Sequence, residues 1–266
     1  MGHYQNKKIG QVFLIDPNIP DWILDESDIQ PDEHIVEIGC GEAVLTRPIS
    51  QRCQQLTIIE MDKYYLDYAL KRCDKNCTIV PQNQNFERCG FDEVSPTPFK
   101  VIANIPYQIS SSCIQELVKH RDHCSQATLM VQKEFADRLL ADPGTKAYGS
   151  LSIFAQFYMD IFELFQVPRH CFKPVPKVDS TVIKIIPQSA PLFKVDEERF
   201  FSIVKAAFWG RRKTLMNCLK QSPHFSTDKD LNEIPLFKEN PKIRGEALSI
   251  EGFYELYCAL SDDNIQ

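Results

Sequence analysis

The sequence predicts an α/β fold, a mostly parallel sheet flanked by helices, followed by a small all-helical domain. Three observations predict it. Short β-branched runs alternate with helix-like stretches over the first two-thirds of the 266 residues, the pattern of βαβ units. The stretch Pro187–Pro191 then breaks the alternation. From Val195 onward the apolar residues recur at helical spacing.

In chain order, His34–Gly39 is an apolar run ending in glycine and reads as the first strand. Gln55–Glu60, the weaker Thr78–Val80, Phe99–Ala103 and Ala127–Val131 read as the next four. Helices are expected between them, at Tyr64–Arg72 and Ser111–His120 among others. Met159–Val167 and Thr181–Ile186 read as strands joined by the Pro-rich loop Pro168–Pro176, an antiparallel pair suited to a sheet edge. The apolar stretch Tyr148–Val167 is interrupted by Gln156, Asp160 and Glu163, so it reads as buried core, not a membrane span. Phe200, Phe201, Val204, Ala207 and Phe208 share a helical face, as do Phe253, Leu256 and Tyr257. The expected domains are 1–187, carrying the sheet, and 188–266, helical.

The composition sets limits. With 43% hydrophobic residues, 17 Phe and 9 Tyr, the chain can build a sizeable core, and wholesale disorder is excluded. Thirty Lys plus Arg against 36 Asp plus Glu leave a net charge of −6, so the basic coat usual in nucleic-acid binders is absent. Met1–Phe13 lacks the apolar run of a secretion signal. The expected compartment is therefore the reducing cytoplasm, with the ten cysteines as free thiols. Cys73 and Cys77 have no second Cys or His pair nearby to complete a zinc site, and no metal is expected.

Two stretches carry chemistry. Glu37-Ile-Gly-Cys-Gly-Glu-Ala43 follows the first strand, where glycines allow a tight turn and close approach to a ligand. Glu60, at the end of the second strand, can accept hydrogen bonds from both hydroxyls of a ribose. An acid-Ile-Gly-x-Gly run points to S-adenosyl-L-methionine over a dinucleotide, although a tight turn without ligand uses the same residues. The fourth strand ends in Asn104-Ile-Pro-Tyr107, at the edge where open α/β sheets bind ligands. Methylating an aromatic amine requires its lone pair to be freed from the ring and aimed at the methyl sulfonium. The Asn104 side-chain oxygen and the Ile105 carbonyl can accept the two amine hydrogens, while Pro106 stiffens the turn. Tyr107 can stack on the base, as base-modifying enzymes require. An Asx turn ending the strand is the plainer reading of the tetrapeptide.

Together with these, several further stretches carry a family resemblance. They are Gly10-Gln-Val-Phe-Leu14, Glu60-Met-Asp62, Gln132-Lys-Glu134, Lys146-Ala-Tyr-Gly-Ser-Leu-Ser152, Phe172-Lys-Pro-Val-Pro-Lys-Val-Asp-Ser180, Ala207-Phe-Trp-Gly-Arg-Arg-Lys-Thr-Leu215 and Arg244-Gly-Glu-Ala-Leu-Ser249. The chain resembles the KsgA-type ribosomal RNA adenine dimethyltransferases over nearly its whole length. The last two stretches separate it from the related antibiotic-resistance methyltransferases of large-subunit rRNA.

The resemblance implies a Rossmann-like class I S-adenosylmethionine-dependent methyltransferase sheet with a helical C-terminal domain. It implies dimethylation of N6 on two adjacent adenosines in the 3′-terminal hairpin loop of small-subunit rRNA, within an immature small ribosomal subunit, by a monomer. On this chain, Gln11, Val12, Leu14, Gly39 and Gly41 fall on cofactor-contacting positions, as do Glu60, Met61, Asn83 and Asn104. Phe172 falls where an aromatic faces Tyr107 across the target base. The family pattern keeps a basic cluster at Arg211, Arg212 and Lys213, which reads as a contact for rRNA phosphates or simply as a solvated helix face; Lys133 and Arg138 are secondary candidates, then Lys173 and Lys177, and Lys7 and Lys8 as a short basic arm.

Two positions depart from the family. Val12 replaces the usual Asn or His, and Asn83 replaces an Asp that accepts from the cofactor's adenine amine. A neutral acceptor in place of a charged one implies cofactor binding weaker by about one order of magnitude; placing Gln84 at that site is the other alignment. These departures motivate a second reading, an assembly factor with weakened or lost catalysis.

Overall fold

The computed structural model describes residues 12–94, 98–210 and 212–261. Gln11 and Arg211, together with Lys7 and Lys8, lie outside them. The chain divides into two compact units, one running to residue 136 and including 159–189, the other made of 137–158 and the chain from 190.

The first unit holds the sheet. After β1 (Phe13–Leu14) and α1 (Asn18–Ser27), the strands β2 (His34–Ile38), β3 (Gln55–Ile59), β4 (Thr78–Gln82), β5 (Phe99–Asn104) and β6 (Cys124–Gln132) follow the predicted order. Between them lie α2 (Thr46–Ser50), α3 (Lys63–Leu70), α4 (Phe86–Cys89) and α5 (Ser110–Lys119), and α6 (Lys133–Leu139) begins directly after β6. Beyond α7 (Ser150–Tyr158) come β7 (Met159–Val167), β8 (Phe172–Lys173) and β9 (Ser180–Pro187). The seven-stranded order is β4-β3-β2-β5-β6-β9-β7. The first five strands of that order are parallel, and β9 runs antiparallel to both its neighbours, β6 and β7.

This order follows from burial. All five residues of β2 are buried and β3 is nearly so, as expected of central parallel strands covered on both faces. β4, with Pro81, and β7 are largely open to solvent and form the edges, where a proline removes no needed ladder bond. In α1, Ile19, Ile23 and Leu24 face the core, and Asp28 ends the helix in the left-handed region. In α5, Cys113, Ile114, Leu117 and Val118 do the same. A second, two-stranded sheet pairs β1 with β8 and has no counterpart in the sequence reading, since two-residue strands give no periodic signal.

The second unit is helical: α7, α8 (Glu197–Ala207), α9 (Leu215–Gln221), α10 (Pro235–Glu239) and α11 (Ile250–Leu260). Asp196, Thr214 and Ser249 cap α8, α9 and α11 with their side chains. The segment 137–158, expected with the sheet, lies in this unit. The reason is aromatic packing: Phe157 stacks on Phe200 at 4.9 Å, and Phe154 and Tyr158 meet Phe201. Among the described residues no helix is long and apolar enough to cross a membrane.

Candidate active site

The strand order reverses direction between β2 and β5, and a ligand crevice is expected at the carboxyl ends of strands flanking such a point. A cavity of about 350 Å³ opens there, within the range typical of small-molecule sites. It gathers most of the residues singled out from sequence. Leu14 of β1 and Val12 just before it line the cavity, with Gly39 and Gly41 from the turn after β2, Glu60 and Met61 just past β3, and Asn104 to Tyr107 from the end of β5.

The turn after β2 is wound as a cradle. Gly39, Gly41 and Ala43 have φ of +75°, +47° and +60°, a region that costs side-chain-bearing residues energy. The Gly39 N–H donates to the Ile59 carbonyl at 2.9 Å, tying the cradle to β3. Glu60 is buried. One carboxylate oxygen accepts from the Asp62 N–H at 2.8 Å, and the other from the Gly41 N–H at 3.4 Å and the Cys40 thiol at 3.7 Å. Burial pushes its pKa up, and the two backbone donors pull it down. A carboxylate has about four lone-pair sites, so capacity remains for ribose hydroxyls.

Glu37 also lines the cavity. It is 1% exposed, its Oε2 has no hydrogen-bond partner, and burial, aided by the charge of Glu60, pushes its pKa up to about 8 against a counteracting Thr46 hydroxyl. Sequence reading placed Glu37 in the glycine motif but gave it no role. Its signal was an acid within an otherwise apolar central strand. Two buried acids facing one cavity favour a ligand that carries positive charge, as a sulfonium donor does. With the glycine cradle and the ribose acceptor, the residues present fit S-adenosyl-L-methionine.

At the end of β5, Ile105 donates its N–H to the Met130 carbonyl at 3.1 Å, and Pro106 accepts from the Ile109 N–H at 3.0 Å. These bonds set the Asn104–Tyr107 turn along the cavity wall. The half-buried Tyr107 places its hydroxyl 3.3 Å from that of Ser180 at the start of β9.

Two expected positions fall elsewhere. Phe172 is 1% exposed and does not line the cavity. It pairs with Leu14 across the small sheet and belongs to the core with Phe13 and Leu14, because an aromatic beside the buried Cys171 gains more from the core than from solvent. Asn83 is exposed and does not line the cavity either. Its amide nitrogen donates to the carbonyls of Glu60 at 2.9 Å and Met61 at 3.0 Å. Gln84 and Asn85 line the cavity in its place.

Within the second unit, Lys146, Arg212 and Arg244 line a basic cavity of about 360 Å³ with Gly144, Thr145 and Glu246. Lys146 and Arg244 sit in stretches quoted for the resemblance but were not read as RNA contacts, since single cations give no sequence signal. Lys213 donates instead to Gln221. Arg138 is exposed and Lys133 half-buried. Asp92, Glu116 and His120 also converge, but the Lys119 ammonium lies 2.6 Å from Asp92, so that group is an ion-pair cluster.

The family model described as ribosomal RNA adenine dimethylase matches residues 2–242. The ribosomal RNA small subunit methyltransferase A of Bacillus cytotoxicus is 39% identical, covering 96% of this chain and 90% of its own length. That of Streptococcus thermophilus is 37% identical, at 96% and 92% coverage. A dimethyladenosine transferase from Plasmodium falciparum superposes with a TM-score of 0.75 at 26% identity, covering 92% of this chain and 95% of its own. The 23S rRNA methyltransferase ErmE gives 0.71 at 25% identity, at 93% and 99% coverage. With a cavity fitted to a sulfonium nucleoside, an Asn-Ile-Pro-Tyr turn in its wall and relatives of this similarity along nearly all its length, the chain belongs to the ribosomal RNA adenine dimethylase family.

Proposed function

We propose that this protein transfers methyl groups from S-adenosyl-L-methionine to N6 of two adjacent adenosines in the 3′-terminal hairpin loop of small-subunit (16S) rRNA, releasing S-adenosyl-L-homocysteine. Its substrate is rRNA within an immature small ribosomal subunit, and it works in the cytoplasm as a monomer. The observation that carries this reading is the shared cavity: Glu60 and the glycine turn line one part, and the Asn104–Tyr107 turn another.

When bound, the cofactor supplies an electrophilic methyl group. The protein's residues bind and orient. Glu60 accepts from the ribose hydroxyls, and the Gly39–Gly41 backbone admits close approach. The Asn104 side-chain oxygen and the Ile105 carbonyl accept the N6 hydrogens, which turns the amine lone pair out of the ring plane. Tyr107 stacks on the base. No group must act as a tuned general base, because N6 becomes acidic once it carries the new bond, so the acceleration comes from orientation. Arg212, with Lys146 and Arg244, and with Arg211, Lys133 and Arg138 as further cations, neutralises rRNA phosphates, which positions the substrate without reading its sequence.

The test is incubation with unmethylated small subunits and labelled cofactor, followed by nucleoside analysis. N6,N6-dimethyladenosine is the expected product. Binding to the particle without incorporated label would overturn the reading in favour of an assembly factor without catalysis.

A further inference from the structure

The backbone ladder between β3 and β4 ends at Ile59 and Gln82, yet the two chains stay joined beyond it. The Glu60 N–H donates to the Gln82 carbonyl at 3.0 Å. The amide nitrogen of Asn83 then donates to the next two carbonyls past the end of β3, those of Glu60 and Met61, at 2.9 and 3.0 Å. Glu60 is thereby fixed at every polar group it has: its N–H by Gln82, its carbonyl by Asn83, and its carboxylate by the N–H groups of Gly41 and Asp62. Met61 lines the cavity while remaining 50% exposed, and Asn83 holds its carbonyl.

We propose that Asn83 is a positioning residue of the cofactor site. It acts through Glu60 and Met61 as a hydrogen-bond donor, through its amide nitrogen. This rests on the reading of Glu60 as the ribose acceptor. The chemistry separates it from an aspartate at the same place. An aspartate has no donor for the two carbonyls, and its charge would face two carbonyl oxygens beside the Glu60 and Asp62 carboxylates. In this chain the amide is therefore matched to its partners and is not a weakened acid.

The test is calorimetric binding of S-adenosyl-L-homocysteine to the full chain and to Asn83→Asp, Asn83→Ala, Asn83→Ser and Glu60→Gln, with steady-state methylation of small subunits. Asn83→Ala is expected to bind about tenfold more weakly, the size of one to two neutral hydrogen bonds. Asn83→Asp should lose at least as much, and Asn83→Ser, which keeps one donor, less. The cofactor KM should rise by the same factor while kcat and the KM for the particle stay unchanged, a split that general loosening of the fold would not give. Asn83→Asp binding as tightly as the parent chain, or more tightly, would overturn the proposal and make residue 83 an acceptor. Weakened Asn83 variants beside an unaffected Glu60→Gln would overturn the ribose reading and the proposed route with it. A weakened Glu60→Gln beside unaffected Asn83 variants would overturn the proposal alone.

Discussion

Replacing Glu37 by Gln should flatten a pH dependence of stability. Glu37 lies on the central strand β2 with 1% exposure and an unpartnered Oε2, and burial raises its pKa from an ordinary 4.5 to about 8. A raised acid binds its proton more tightly in the folded than in the unfolded chain. Its stabilising contribution is therefore complete below pH 4.5 and is lost as the pH climbs through about 8. At about 1.4 kcal/mol per pH unit, the span from 4.5 to 8 amounts to about 5 kcal/mol. That is comparable with the whole stability of many domains. Glutamine keeps the shape and does not titrate. Urea denaturation of both proteins across the range from about pH 5 to about pH 9 measures the difference. The stability of the parent chain should fall relative to Glu37→Gln by several kcal/mol as the pH rises. A cationic ligand in the cavity favours the ionised form, so cofactor binding near neutral pH should release a proton. The binding enthalpy should then depend on the buffer's ionisation heat for the parent chain and much less for the variant. Identical pH profiles would refute the reasoning, because they would mean that Glu37 is solvated or partnered.

Further outcomes follow from other positions. Gly39→Ala places a side chain at φ +75° and should cost about 1–2 kcal/mol, seen as a lower Tm together with weaker cofactor binding. Tyr107→Ala should reduce methylation by at least about tenfold, as loss of one base–aromatic stack implies, while homocysteine-cofactor affinity measured by calorimetry stays unchanged. Lys146→Ala combined with Arg244→Ala should lower the slope of log affinity against log salt for the particle by about 1.4–1.8, two phosphate contacts' worth; an unchanged slope would remove the basic cavity from the interface. Isolated hairpin RNA should bind far more weakly than the particle in the same titration, and equal affinities would contradict it.

The parts of the fold legible in the sequence were those with strong periodic signals. β2 and β3 are mostly apolar, β-branched runs because both their faces are covered, and α5 and α8 place apolar residues at helical spacing. The Asn104–Tyr107 turn and the glycine cradle could be located because their residue types have few uses other than tight turns beside a ligand. The β1–β8 pair was not legible, since strands of two residues rest on long-range pairing alone. That pairing is what buries Phe172: its motif resembled a base-facing aromatic, but the role of an aromatic depends on which surface its strand presents. Segment 137–158 was misplaced for a related reason. Its apolar run reads as core, and nothing local says that the core is the aromatic cluster of Phe200 and Phe201. For Asn83 the sequence drew attention to the amide oxygen, and the structure adds what the amide nitrogen does, binding the carbonyls of Glu60 and Met61; an amide both donates and accepts, and only its neighbours decide which end meets which.

The acidic balance of −6 and an RNA substrate are reconciled by distance. At physiological salt, fixed charges are screened beyond about 8 Å, so a phosphate responds to the cations within reach and not to the sum over the surface. Many of this chain's cations are already paired: Lys100 with Glu33, Arg52 with Asp25, Lys119 with Asp92 and Lys238 with Glu233. Lys146, Arg212 and Arg244 also converge on one cavity, where Arg244 pairs with Glu246. The three cations of this cavity release about three counterions' worth of free energy from a phosphate backbone, a contribution that weakens as salt rises. On the proposed function, recognition of the substrate draws further on surface that the folded particle presents, and the acidic remainder of the chain disfavours RNA that lacks it.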